Sequence, residues 1–121
     1  MEVLIRVGRP GAGIEAAEES LLASEEEQRL DPGNVRIESL RLHLLYDLGW
    51  AYQARAESTL AAGGAPTDDL EAARFAMEDA LALYRELDRA GRLHAAEKQS
   101  DRIRERLVRI DELFASVRGE Q

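Results

Sequence analysis

The chain has 121 residues, a net charge of −8 and no cysteine. This length suits a single domain, and the absence of cysteine excludes a disulfide scaffold, a thiolate zinc site and a cysteine nucleophile. The acidic balance argues against non-specific binding of nucleic acid, because that binding needs clustered Lys and Arg side chains to neutralise phosphates.

Residues 1–13 are expected to form an N-terminal arm and a Gly/Pro linker ahead of the folded domain. The stretch from Glu2 to Val7 has the pattern of a short strand, and no later segment offers it a partner within the chain. We therefore expect either an ordered arm or pairing with a second copy. Residues 8–13 imitate a phosphate-binding loop, but the Lys and the Ser or Thr of such a loop are missing.

The beginning of the chain also lacks the basic start and long apolar core of a signal peptide, and no apolar run reaches the length of a membrane span. We therefore predict a cytoplasmic protein with no membrane segment.

Residues 14–121 are expected to form one all-α domain, an antiparallel bundle of four helices near residues 14–30, 35–62, 67–90 and 92–118. Ala, Leu, Glu and Arg, which are strong helix formers, dominate its composition. Between the first two helices, Asp31 or Asn34 can act as the N-cap of the second. Thr67 is placed as the N-cap of the third helix.

The C-terminal part of the chain carries a heptad seam that runs from Leu93 to Val117 and is broken only by Ser100. This stripe offers more apolar surface than one helical hairpin can cover, so we predict a homodimer through the C-terminal helix. Gly91 is placed to cap the third helix. Without a break at Gly91, the third and fourth helices would form one long rod.

Residues 45–52 read Leu-Tyr-Asp-Leu-Gly-Trp-Ala-Tyr. They resemble the first helix of a tetratricopeptide repeat, whose pattern is large-x-x-Leu-Gly-x-x-Tyr. Gly49 is the informative position, because a glycine inside a helix usually marks a place where another helix packs closely. Residues 71–81 are similar to the second helix of the repeat. The spacing from Tyr52 to Ala73 is longer than in the family, so the resemblance implies one degenerate repeat with lengthened helices.

The resemblance also implies a binding face. In the family, the helix face next to the one that meets the hairpin partner lines a concave groove for ligands. In this chain that face carries His43, Tyr46, Trp50 and Gln53. The alternative is that Tyr46 and Trp50 simply pack against the first or the last helix. A second surface feature, Arg102, Arg106 and Arg109 on one face of the last helix, is expected to be solvated.

No set of residues points to catalysis, a metal or a cofactor. His43 and His94 are the only histidines. His94 and Glu97 lie one helical turn apart, but they supply two ligands where a metal site needs three or four.

We therefore predict a protein–protein interaction module, an adaptor or regulatory domain that receives a peptide or helix of a partner protein. The alternative is a small acidic chaperone or inhibitor that covers a basic partner surface. That alternative rests on the negative charge of residues 1–34, which sums to −5, and of residues 67–91, which sums to −4. An enzyme is the third and least favoured possibility.

Overall fold

The structure, a computed structural model, describes residues 10–92 and 97–119, and these residues contain helices and connecting turns but no strand. The four helices are α1 (Pro10–Leu30), α2 (Val35–Ala61), α3 (Thr67–Arg89) and α4 (Glu97–Val117). The prediction of an all-α, four-helix protein is confirmed. None of the described helices combines the length and apolar character needed to cross a bilayer.

Helix α1 begins at Pro10, earlier than the predicted start at residue 14. Proline is tolerated in the first turn of a helix, because the backbone N–H that it lacks has no intrahelical acceptor there. Residues 10–13 of the predicted linker are therefore helical. The rest of the predicted arm, residues 1–9 with the candidate strand from Glu2 to Val7, lies outside the described residues.

Helix α2 is capped by Asn34, one of the two predicted candidates. The Asn34 Oδ1 atom accepts hydrogen bonds from the backbone N–H groups of Arg36 at 2.9 Å and Ile37 at 3.4 Å. The prediction for α3 was wrong by one residue. Thr67 is already helical, and Pro66 holds the N-cap position without a side-chain hydrogen bond.

Helices α3 and α4 are separate, because the chain turns at Gly91. Its φ of +66° lies in the left-handed region that glycine adopts without strain. The N–H of Gly91 donates to the carbonyl of Asp88 at 3.0 Å, and the N–H of Arg92 donates to Leu87 at 2.9 Å. These two bonds form the usual glycine-terminated helix end. Residues 93–96, which follow, lie outside the described residues.

Helix α2 is the centre of the fold. It packs against α1 on one side and α3 on another, and α3 in turn packs against α4. Each of these neighbours is antiparallel to the next, so α4 runs parallel to α2 and also contacts it. Among the described helices, α1 packs directly only against α2. Each helix therefore forms an antiparallel pair with the next, and α2 contacts all three of the others.

Polar contacts between helices tie α1 and α3 to α2. The Tyr52 hydroxyl donates to Glu18 Oε1 at 2.9 Å, and Arg55 forms two hydrogen bonds with the Asp69 carboxylate at 2.8 and 2.9 Å. Partial burial, followed by the hydrogen bond and charge of Glu18, raises the pKa of Tyr52. The hydrogen bond to Asp69 raises the pKa of Arg55.

Gly49 lies where the Met77 side chain of α3 packs closely against α2, in agreement with the close helix packing predicted at this position. It is buried, and a Cβ atom at this position would lie 2.8 Å from Met77 Cε and 2.9 Å from Met77 Cγ. Met77 is itself fully buried. Any larger residue at position 49 would force the α2–α3 interface apart or displace Met77.

The heptad seam of α4 is used inside the chain. Ile103 and Ile110 are fully buried, and Leu107 packs partly buried against the same core. The other buried seam residues are Ser100 and Phe114. The uncovered stripe from which the homodimer was predicted is therefore largely covered by the chain itself. The homodimer through α4 stays a prediction.

Candidate binding groove between α2 and α4

Two aromatic residues of α2 face two arginines of α4. The Cζ atom of Arg102 lies 4.8 Å from the centroid of the Tyr46 ring, and Cζ of Arg106 lies 4.8 Å from the Trp50 ring. Both distances are within the range of cation–π attraction. Each pair is spaced by four residues and the helices run parallel, so the two contacts stack one turn above the other.

The aromatic pair and Arg106 hold one another in place. The centroids of the Tyr46 and Trp50 rings are 6.3 Å apart, and the rings are tilted by 55°. The Nε–H of Arg106 donates to the Tyr46 hydroxyl at 3.1 Å. The Trp50 ring and the Tyr46 hydroxyl together therefore hold Arg106 in position. Within the described residues its terminal Nη groups make no hydrogen bond.

A cavity of about 400 Å³ opens at these contacts. Its lining residues are Tyr46, Trp50, Arg102, Glu105, Arg106 and Arg109. Arg109 is neutralised by carboxylates, because it lies 3.3 Å from both Glu57 and Glu112. Arg102 and Arg106 form no ion pair within the described residues. The cavity is therefore positively charged at the end where the arginines lie over the rings.

The structure brings two of the four predicted binding residues to this cavity. Tyr46 and Trp50 line it, although the Tyr46 side chain is only 3% exposed. Gln53 is also 3% exposed, and its Nε2 donates to Glu57 at 3.1 Å, so it stands behind the groove rather than in it. His43 is exposed and does not line the cavity.

The packing of the aromatic pair agrees with the alternative interpretation, and partner binding by this helix face stays a prediction. Tyr46 and Trp50 do pack against the last helix, but they pack beneath the side chains of Arg102 and Arg106 and line an open groove. The helical spacing of the sequence placed these arginines on one face of α4, and we expected that face only to be exposed to solvent. The matching four-residue spacing of the two pairs was visible in the sequence, but the adjacency of α2 and α4 was not.

A second groove lies on a different face of α2, between α1 and α3. Its cavity is about 390 Å³. The apolar lining consists of Leu21, Leu45, Ala82 and Leu83, and the charged lining consists of Glu25, Asp79, Glu86 and Arg41. The Nη1 group of Arg41 donates to Gln28 Oε1 at 2.7 Å. We call this the α1–α3 groove and the first one the α2–α4 groove.

In the described part of the chain, no group of three or more His, Asp or Glu side chains is arranged to hold a metal ion. His94, the predicted partner of Glu97, lies outside the described residues.

The chain matches no protein-family model, and no curated protein and no solved structure is significantly similar to it. The tetratricopeptide-like character of residues 45–52 and 71–81 therefore stays a prediction.

Proposed function

We propose that the protein is an interaction module that binds a segment of a partner protein in the α2–α4 groove. The observation that supports this proposal is the double stack of Arg102 over Tyr46 and Arg106 over Trp50 at the edge of an open cavity. Tryptophan, tyrosine and arginine are the residue types that dominate the binding energy of protein interfaces.

The groove is prepared for binding before a partner arrives. Because the rings and the Tyr46 hydroxyl already restrain the guanidinium groups, fewer rotamers are lost when a ligand binds. The Trp50 side chain is only half-buried, so a partner can still cover it. The tetratricopeptide-like pattern agrees with this location, because in that family the corresponding helix face lines the ligand groove.

Capture of partners from a lysate of the native host tests the proposal. We expect the wild type to retain a partner that an Arg102→Ala, Arg106→Ala variant loses. The matched control is Arg85→Ala, Arg89→Ala, which removes two exposed arginines at the same spacing from α3. Circular dichroism should show the same helicity for all three proteins. A partner that the groove variant keeps would refute the α2–α4 groove as the binding surface.

The arginines are better targets than the aromatic residues. Tyr46 belongs to the buried core, and replacing a buried aromatic residue by alanine costs about 3–5 kcal/mol of stability. A Tyr46→Ala variant would therefore lose its partner through unfolding as readily as through loss of contact.

The α1–α3 groove supports a second candidate, the acidic chaperone or inhibitor. Its specific observation is that Glu25, Asp79 and Glu86 border a cavity with leucine side chains in its lining. Such a surface would take up a basic, amphipathic partner, and it would lose that partner as salt screens the charges. A partner that is lost by Glu25→Gln, Asp79→Asn, Glu86→Gln but kept by the α2–α4 variant would establish this candidate instead.

A further inference from the structure

We infer that the segment bound in the α2–α4 groove is acidic, and that two of its carboxylates meet Arg102 and Arg106. This inference rests on the proposed function and names the chemistry of the occupant. Four residues along a helix span about 6 Å, so the two arginines offer two anion positions at roughly that separation. Alternate residues of an extended peptide are spaced by a similar distance, about 6.7 Å.

Charge distinguishes Arg102 and Arg106 from the third arginine of the cavity, Arg109. Arg109 lies between Glu57 and Glu112, whereas Arg102 and Arg106 have no carboxylate partner within the described residues. Within the described residues, Arg104 on the same helix also forms no ion pair, but it does not line this cavity and makes no cation–π contact. Among the arginines of α4 in the described residues, only Arg102 and Arg106 lack an ion pair, contact an aromatic ring and line this cavity.

The geometry of both arginines leaves hydrogen-bond donors available to a ligand. A guanidinium group attracts an aromatic ring through its face and donates hydrogen bonds through its edge, so the two interactions do not compete. Arg106 uses its Nε–H for the Tyr46 hydroxyl and keeps its terminal N–H groups for a ligand. Arg102 is held by the ring of Tyr46 and donates no hydrogen bond within the described residues. The planar guanidinium group of each arginine presents two parallel N–H donors, a geometry that matches the two oxygens of a carboxylate.

A basic segment and a nucleic acid both fit the charges of this groove less well than an acidic segment. A basic segment would be repelled by the two arginines. A nucleic acid would bring a long row of phosphates close to Glu57, Glu105 and Glu112, on a chain whose net charge is already −8. Its bases would also find one face of each ring already covered by a guanidinium group.

Selection from a library of short random peptides, displayed on phage and bound to the immobilised full chain, tests the inference. Peptides that also bind an Arg102→Gln, Arg106→Gln variant are removed by counter-selection. We expect the remaining peptides to share two Asp or Glu residues at a constant spacing. Selected peptides without shared acidic positions would overturn the inference.

Affinity is then measured with a synthetic selected peptide through the emission of Trp50, the single tryptophan of the chain. We expect Arg102→Gln and Arg106→Gln each to weaken binding about tenfold or more, because hydrogen bonds between charged groups contribute strongly. The matched control Arg104→Gln should change affinity less than about twofold. Replacing the two acidic peptide residues by their amides should weaken binding as much as the arginine variants do.

Further outcomes decide between the proposals. If the glutamine variants lose helicity, the lysine variants Arg102→Lys and Arg106→Lys keep the charge and lose the fork, and they should still weaken binding measurably. Inorganic phosphate that displaces the peptide at equal concentration would show a general anion site and overturn the inference. Selected peptides that change Trp50 emission without being acidic would refute the inference alone. If no selected peptide changes Trp50 emission, the proposed function itself fails.

Discussion

The two grooves that flank α2 differ in charge and in how firmly their side chains are held. In the α2–α4 groove, Arg102 and Arg106 are stacked on aromatic rings, and one of them is also hydrogen-bonded. In the α1–α3 groove, Glu25, Asp79 and Glu86 are exposed, and within the described residues their carboxylates make no ion pair or hydrogen bond.

This difference separates two ways of recognising a partner. Restrained guanidinium groups favour a ligand with carboxylates at fixed positions, whereas free carboxylates attract any basic surface and lose it to salt. Neighbouring residues of one helix serve the two grooves, because Leu45 lines the α1–α3 groove and Tyr46 lines the α2–α4 groove. Variants in the grooves and in the core between them test whether the two grooves are as independent as this arrangement indicates.

The largest effect is expected from Ile103→Ala, which removes a fully buried side chain that anchors α4 in the core. We expect the free energy of unfolding to fall by about 2–5 kcal/mol. Acidic-peptide binding should weaken as well, because α4 supplies every arginine of the α2–α4 groove. Urea denaturation and peptide titration measure the two effects.

The control for α4 is Val108→Ala, since Val108 is 58% exposed. Its effect on stability should stay within about 0.5 kcal/mol. Equal losses for the two variants would show that the α3–α4 interface is not packed as described.

Gly49→Ala should lower stability by roughly 1 kcal/mol. Overpacking against Met77 costs about 1–3 kcal/mol, and the better helix propensity of alanine offsets about 1 kcal/mol of that. Gly11→Ala is the matched control, because no atom lies within 4 Å of its added Cβ. Since α2 borders both grooves, Gly49→Ala should weaken both kinds of binding. Thermal unfolding that ranks Gly49→Ala above the wild type would contradict this account of Gly49.

Tyr46→Phe removes the hydroxyl that accepts from Arg106 and leaves the ring in place. We expect a loss of about 0.5–1.5 kcal/mol in stability and weaker binding of acidic peptides, with no change in binding of basic ones. Tyr84→Phe is the control, because the Tyr84 hydroxyl makes no hydrogen bond within the described residues. If the two variants bind acidic peptides equally, the hydroxyl does not position Arg106.

Tyr52→Phe should have the smallest effect, about 0.5 kcal/mol, through loss of the hydrogen bond to Glu18 that ties α1 to α2. Because folding raises the pKa of Tyr52, its contribution is complete below the ordinary tyrosine pKa of about 10 and is lost as pH rises through the raised value. Unfolding free energies measured on both sides of about pH 10 should converge for wild type and variant at high pH. A gap that widens with pH would contradict the sign of this shift.

Local sequence signals predicted most of the fold. The N-cap before α2, the helix end at Gly91 and the close packing at Gly49 were all predicted from propensity and spacing, which depend on near neighbours. The start of α1 at Pro10 was missed, because the glycines around it favoured a linker and only packing against α2 selects the helix.

The site was less predictable, since it depends on which helices meet. Tyr46 and Trp50 were expected in a groove, and they line one. The arginines of α4 were assigned to solvent, because nothing in the sequence says that α4 returns beside α2. Gln53 shares a helix face with the aromatic pair, yet it is buried behind Glu57.

The most direct test of the two-groove account is NMR chemical-shift mapping with two capped peptides of equal length, one rich in glutamate and one rich in lysine. We predict that the glutamate peptide shifts the amide signals around Tyr46, Arg102 and Arg106 and the indole N–H of Trp50. The lysine peptide should shift only signals around the α1–α3 groove. Shifts of the same amides by both peptides, or of the α1–α3 groove by the glutamate peptide, would contradict the account.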